Sequence, residues 1–218
     1  MRFDLKYAFP ILIASSAATL ATAQSMNVDF NWTGIGAVPN AAYGAAGAAG
    51  VWNGPNVSPG SIVNFGLVDL AGSSTSALLN VASFGPNWSN TGSWTGDDSA
   101  LMEDLIGSGS ATAQIQFSGL QAGNYGVILY GMNSSGNSFS TFTINNVSQT
   151  TGGAWSGSHV AGASYTQFTN VAVLSGTLTI DFVSNCNGVQ LLYSPVPEPA
   201  SMSVLGIGAA WIVRRRRK

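Results

Sequence analysis

Charged side chains make up only 7% of this 218-residue chain, and between residues 24 and 195 there is no lysine or arginine. Every such cation stands at an end: Arg2 and Lys6 near the start, then Arg214, Arg215, Arg216, Arg217 and Lys218 at the finish. A body without these cations has nothing with which to neutralise phosphates, which argues against a nucleic-acid partner. It also lacks the donors for phosphate clamps and for arginine–carboxylate forks. Its seven carboxylates (Asp29, Asp69, Asp97, Asp98, Glu103, Asp104 and Asp181) leave it anionic. Solubility must otherwise come from Ser, Thr, Asn and Gly.

Cysteine and histidine are nearly missing too. The single Cys186 rules out an intramolecular disulfide and a zinc site built on thiolates, and it reads as a small buried residue. The single His159 lies in a Ser/Gly-rich stretch with no Gly-x-Ser-x-Gly nucleophile motif in the chain, so it reads as a solvated loop residue. A Ser/His/Asp arrangement can still assemble in space, whatever the spacing.

What the body does have is alternation. In Ala111–Phe117 one face carries Ala, Ala, Ile and Phe and the other Thr, Gln and Gln, the period of a half-buried strand. Tyr125, Val127 and Leu129 repeat it after the turn-like segment Ser118–Asn124, which predicts a hairpin. Further strands are expected around Phe142–Ile144, Tyr165–Leu174, Leu178–Phe182 and Val189–Tyr193. Weaker patterns predict strands at Asn27–Trp32, Ile62–Leu70 and Ser76–Ser83. Ala41–Gly50 reads as an Ala/Gly loop. Helical spacing occurs once: Leu101, Met102, Leu105 and Ile106 form a stripe, capped by Asp97, Asp98 or Ser99 and stopped by Gly107. The sum is an all-β, antiparallel β-sandwich, jelly-roll-like, with one short helix.

The ends differ in kind from the body. Arg2 and Lys6, an apolar run to about Leu20 and the small residues Ala21 and Ala23 before Gln24 read as a secretory signal peptide over residues 1–23. The sandwich domain is then 24–195. At the other end Val196, Pro197, Glu198, Pro199, Ala200 and Ser201 form an extended unit, because each proline fixes φ and steers its predecessor away from helix. An uncharged stretch follows as a transmembrane helix, and the five terminal cations place the C-terminus in the cytoplasm by the positive-inside rule. Ala200–Val213 would rise only about 21 Å at about 1.5 Å per residue, against a hydrocarbon core of about 30 Å. Such a marginal span suits a temporary tether.

These three parts in this order resemble the PEP-CTERM sorting tail of Gram-negative bacterial proteins, over 196–218. The resemblance implies recognition by an exosortase, a multi-spanning membrane enzyme that cuts near the motif. It also implies export by the secretion machinery, with the body first in the periplasm, tethered to the inner membrane, and then at the cell surface or outside. Phe117–Val127, Gly176–Ile180 and Asn187–Gln190 are similar to galactose-binding-like and malectin-like jelly rolls. That similarity implies a fold and no binding residue.

Two groups of residues are candidates for chemistry. Asp97, Asp98, Glu103 and Asp104 form the densest acidic cluster, able in principle to bind calcium or to serve as acid and base, or simply to favour a helix N-terminus. Trp88, Trp94 and Trp155 sit among Asn, Ser, Thr and Gly, as sugar-stacking rings do, or as plugs for the ends of a sandwich. The expected function is a non-catalytic surface or matrix protein associated with exopolysaccharide, with no cofactor beyond calcium. The alternatives are a lectin-like module using those tryptophans and, third, a secreted hydrolase.

Overall fold

The computed structural model describes residues 24–32, 37–57, 60–84, 93–133 and 139–195. The expected signal peptide, with Ala21 and Ala23, lies outside the described residues. So do Trp88 and the whole tail from Val196 to Lys218, with its expected transmembrane helix. Among the described residues no helix is long and apolar enough to cross a membrane.

The described residues form thirteen strands and one helix, in order: β1 Met26–Asp29, β2 Asn31–Trp32, β3 Trp52–Asn53, β4 Asn56–Val57, β5 Gly60–Val68, β6 Ser74–Phe84, α1 Asp97–Met102, β7 Ile106–Ser118, β8 Gly123–Tyr130, β9 Ser140–Ile144, β10 Val147–Thr151, β11 Tyr165–Val173, β12 Leu178–Cys186 and β13 Gly188–Ser194. They form a five-stranded sheet, β11-β8-β13-β1-β3, and a six-stranded sheet, β10-β9-β12-β7-β6-β5. Alternating residues of both sheets meet in one core: Val127, Leu129, Val189 and Leu191 from the first, Ile115, Phe117, Ile180 and Phe182 from the second. This is the predicted all-β sandwich. Its pairing is antiparallel throughout the long strands, but β1–β3 and the separate pair β2–β4 run parallel.

Three local expectations need correction. Residues 111–117 and 125–129 do not form a hairpin, because β7 and β8 belong to opposite sheets. Leu120, read as a turn residue, is buried in the inter-sheet core, and its amide bonds Gly176 O at 3.0 Å. The segment is therefore an arch between layers. At Gly119 (φ 68°) a Cβ would collide with the carbonyl of Ser76, so only glycine turns this corner.

The helix is shorter than its stripe. Leu105 lies beyond it and Ile106 opens β7, paired with Cys186; Gly107 belongs to that strand and stops nothing. Gly96 occupies the N-cap without a side-chain bond, while Asp97 and Asp98 stand in the first turn, where the helix's partial positive charge favours them. Finally, β10 was not predicted. Its Val147-Ser148-Gln149-Thr150-Thr151 has little apolar alternation, and it forms because Asn145 and Asn146 take left-handed φ of 50° and 65° and fold it back on β9.

Candidate functional site

The two faces of the five-stranded sheet are covered by different things. Along β8, Val127 and Leu129 enter the inter-sheet core, while Ile128 and Tyr130 point outward yet are also buried. The Ala/Gly loop, α1 and the segment around Trp155–Ser164 lie over that outer face. Amide side chains of the sheet hold the loop down. Gln190 Nε2 donates to Ala48 O (3.1 Å) and to Asn27 Oδ1 (2.9 Å), and Asn27 Nδ2 donates to Ala48 O (3.0 Å). The Tyr130 hydroxyl donates to Gln190 Oε1 (2.6 Å) and accepts from Ala46 N (2.8 Å). Small residues are needed there: a Cβ on Gly47 would lie 2.5 Å from Gln190 Oε1 and 2.9 Å from Ile128 Cδ1.

His159 is tied into this layer, contrary to its expected solvation; its side chain is 8% exposed. Tyr43 Oη donates to Asp98 Oδ1 and lies 2.6 Å from His159 Nε2. Because the phenol's one proton goes to Asp98, the imidazole donates from Nε2. Its Nδ1 then accepts from Ser164 Oγ at 3.3 Å, and Ser164 Oγ accepts from Val160 N at 3.0 Å. A neutral ring satisfies every partner. Burial pushes the imidazole below its ordinary value, and the Asp98 carboxylate partly opposes the shift. Burial and the bond to Asp98 push the Tyr43 phenol far up, which keeps it a donor.

Ser164, His159 and Asp98 thus stand in a line that resembles a hydrolytic triad. Ser164, however, is 1% exposed, and its hydroxyl closes a turn onto Val160. The arrangement locks three segments together.

The tryptophans join the same layer. Trp155 meets His159 edge-on at 5.2 Å and Trp94 edge-on at 6.4 Å. Trp94 is 6% exposed, so it offers no ring face to a sugar. Trp155 is half-buried. Both belong to the hydrophobic cluster that includes the outward-facing Ile128 and Tyr130 of β8. Trp52, buried beside them, donates from Nε1 to Tyr43 O at 3.1 Å.

The acidic cluster is divided among separate tasks. Asp97 Oδ1 accepts from Asn40 N at 2.7 Å, Asp98 serves Tyr43, and Glu103 accepts from Ser99 Oγ. Asp104 is fully buried, and the Asp29 carboxyl is pushed well above its ordinary value by its own burial and then by the Asp104 charge. Among the described residues no three His, Cys, Asp or Glu side chains come together as metal ligands, so the four acids do not make a common site. Cys186 is buried as expected, and its thiol is pushed up by that burial.

A groove that the sequence reading missed, of about 320 Å³, lies where the β9–β10 hairpin meets β11. Its lining is uncharged: Asn145, Gln149, Gln167 and Asn170 with Val147 and Phe168. None of the sequence candidates reaches it. The paired Asn145-Asn146, which turns β9 into β10, was the available signal.

Residues 195–218 match the family described as PEP-CTERM protein-sorting motif. The motif is that of an exported protein anchored transiently at the membrane and processed by an exosortase. No curated protein matches the chain. Two solved structures do: an exo-β-1,3-galactanase from Phanerochaete chrysosporium with galactose (17% identity, 58% of this chain and 32% of that chain, TM-score 0.31), and a Podospora anserina GH26-CBM35 β-(1,4)-mannanase (18% identity, 57% and 29%, TM-score 0.32). The chain spans about a third of the length of each enzyme.

Proposed function

We propose that the body is a non-catalytic, jelly-roll-like sandwich carried to the cell surface or extracellular matrix, where it associates with exopolysaccharide. The observation that carries this reading is the sorting motif at residues 195–218, which begins directly after the last strand ends at Ser194. Cutting within it removes every C-terminal cation and leaves all of the described strands intact. The part left behind has no lysine or arginine, a composition that suits a hydrated, largely neutral glycan layer. The carboxylates Asp97, Asp98 and Glu103 are each committed to a local hydrogen bond, which disfavours a hydrolytic acid–base pair.

One observation favours a second reading, a carbohydrate-binding module. The amide-lined groove offers donors and acceptors beside apolar surface without charge, the chemistry that recognises a neutral polyol. In that reading the tryptophans support the fold and the groove makes the contact.

Mass spectrometry of the surface-released protein, from cells with and without the exosortase, tests the first reading. The expected product lacks Arg214–Lys218 only when the enzyme is present; an intact chain ending at Lys218 in both strains overturns it. A glycan array then separates the two readings. Binding lost in Gln149→Ala and retained in Trp155→Ala selects the groove.

A further inference from the structure

The last strand leaves the sandwich at one of its two ends. Ser194 pairs with Asn124 and Val173 with Gly123, so the neighbouring strands β13, β8 and β11 begin or finish at one level. In the facing sheet Leu178 pairs with Phe117, and Ser118 with Leu78, at that same end. The end is therefore built from the exit at Ser194, the arch 119–122 from β7 to β8, the β5–β6 turn and the hairpin turn 174–177 between β11 and β12.

Hydrogen bonds hold these pieces together. Leu120 N donates to Gly176 O (3.0 Å), which ties the arch to the hairpin turn. Gln24 Oε1 accepts from Gln121 N, and Gln24 Nε2 donates to Gly119 O at 3.3 Å. The Tyr193 hydroxyl donates to Ala122 O (3.2 Å) and fastens the exit strand to the arch. On this stiff end Leu174 is 85% exposed, more than any other large hydrophobic side chain among the described residues. It follows the end of β11, two strands from the exit, or about 10 Å at the usual strand spacing.

The carboxylates keep away from it. Asp97, Asp98, Glu103 and Asp104 precede β7, whose first residue, Ile106, pairs with Cys186 at the opposite end of the sandwich. Asp29, paired with Gly188, lies at that far end too. Asp181 stands on the outer face of the six-stranded sheet and accepts from Gln114 Nε2 at 3.0 Å. At the exit end, among the described residues, Asp69 is the one carboxylate. It is buried and accepts from Ala71 N and Ser73 N. Such an end can meet a lipid headgroup layer without stripping water from an exposed carboxylate.

The sorting motif anchors the exported chain transiently at the membrane. Five residues lead from Pro195 to Ala200, where the uncharged stretch begins, a reach of at most about 18 Å. That is less than the length of β8 from Gly123 to Tyr130, about 23 Å at about 3.3 Å per residue. We propose that the exit end of the sandwich rests on the lipid surface while the protein is anchored, with the Leu174 side chain in the headgroup layer. The acids around α1 then lie at the end far from the bilayer. One leucine gives only a weak hold, so cutting within the motif frees the body. This contact follows from the sorting motif and is independent of what the body binds.

The membrane-bound chain from cells without the exosortase tests this. Cys186 is fully buried, so a thiol-reactive fluorophore marks only a chosen surface position. One is Ser175→Cys, beside Leu174; the other is Ser158→Cys, beside His159, which packs on Tyr130 at the far end of β8. Both serines are exposed, so neither change threatens the fold. The labelled chains are placed in vesicles of phosphatidylethanolamine and phosphatidylglycerol that contain a lipid spin-labelled at its headgroup. Quenching is expected to be several-fold stronger at position 175 than at 158, and adding Leu174→Ser is expected to lower the 175 signal by about half or more. Equal quenching at the two positions overturns the orientation. A 175 signal untouched by Leu174→Ser overturns the leucine contact.

Discussion

One strand, β8, separates two kinds of interior. On its inner side Val127 and Leu129 join a continuous apolar core between the sheets; on its outer side Ile128 and Tyr130 meet loops, a short helix, amides, a histidine and carboxylates. The inner layer is held by area removed from water, a non-directional force that tolerates similar shapes. The outer layer is held by directional hydrogen bonds whose partners are unique, so each part depends on a few named atoms. The first makes the domain stable. The second decides whether the loops lie where they do.

The strongest way to break the comparison is to damage the inner layer and look for the outer one. Phe117→Ala empties a fully buried position on β7, between Leu178 and Leu79 on the flanking strands. A loss of about 3–5 kcal/mol is expected from the lost burial and the cavity. Urea unfolding should show it as a global change, with fluorescence of the outer tryptophans and far-UV circular dichroism shifting together. If the tryptophan signal kept its wild-type midpoint, the two layers would be independent units.

Tyr130→Phe tests the reverse. It keeps the ring on the outer face and removes the hydroxyl that links Gln190 Oε1 to Ala46 N. Leaving these groups short of a partner should cost about 1–3 kcal/mol. Hydrogen exchange should quicken first in the 41–50 loop, before β8 and β13 open. Uniform acceleration across both sheets would show that the outer layer is part of the core after all.

The same division explains what was legible in the sequence. Strands whose inner residues alternate cleanly, such as Ala111–Phe117 and Leu178–Phe182, announce themselves because burial repeats with a fixed period. Which sheet each strand enters does not follow from period, and β7–β8 was misread as a hairpin because Gly119 and Leu120 serve equally well in a turn or an arch. The outer layer was nearly invisible. Trp94 and His159 stand in polar stretches, and only the fold brings Tyr43, Asp98 and Ser164 around that histidine from segments far apart. Asp29 looked like any strand carboxylate until the fold showed it fully buried. Directional contacts leave no periodic trace, so a site made of them must be seen in three dimensions.

The smallest expected effect isolates one group of the outer layer. Burial holds His159 below its ordinary value of 6.5, so between the two values the unfolded chain binds more protons than the folded one. Stability then rises with pH through that window, is complete above about 6.5, and is withdrawn as pH falls below it. Asp29, pushed up by burial and by Asp104, has the opposite sign and loses stability as pH rises above the ordinary carboxylate range. The measurement must therefore be a difference. The difference between wild type and His159→Gln in urea unfolding from pH 5 to 8 removes the Asp29 contribution because both proteins share it. The wild type should gain on the variant as pH rises from 5 and then run parallel to it. A gap that stayed constant would mean that His159 keeps its ordinary proton affinity, and that its hydrogen bonds to Tyr43 and Ser164 tolerate the charged ring.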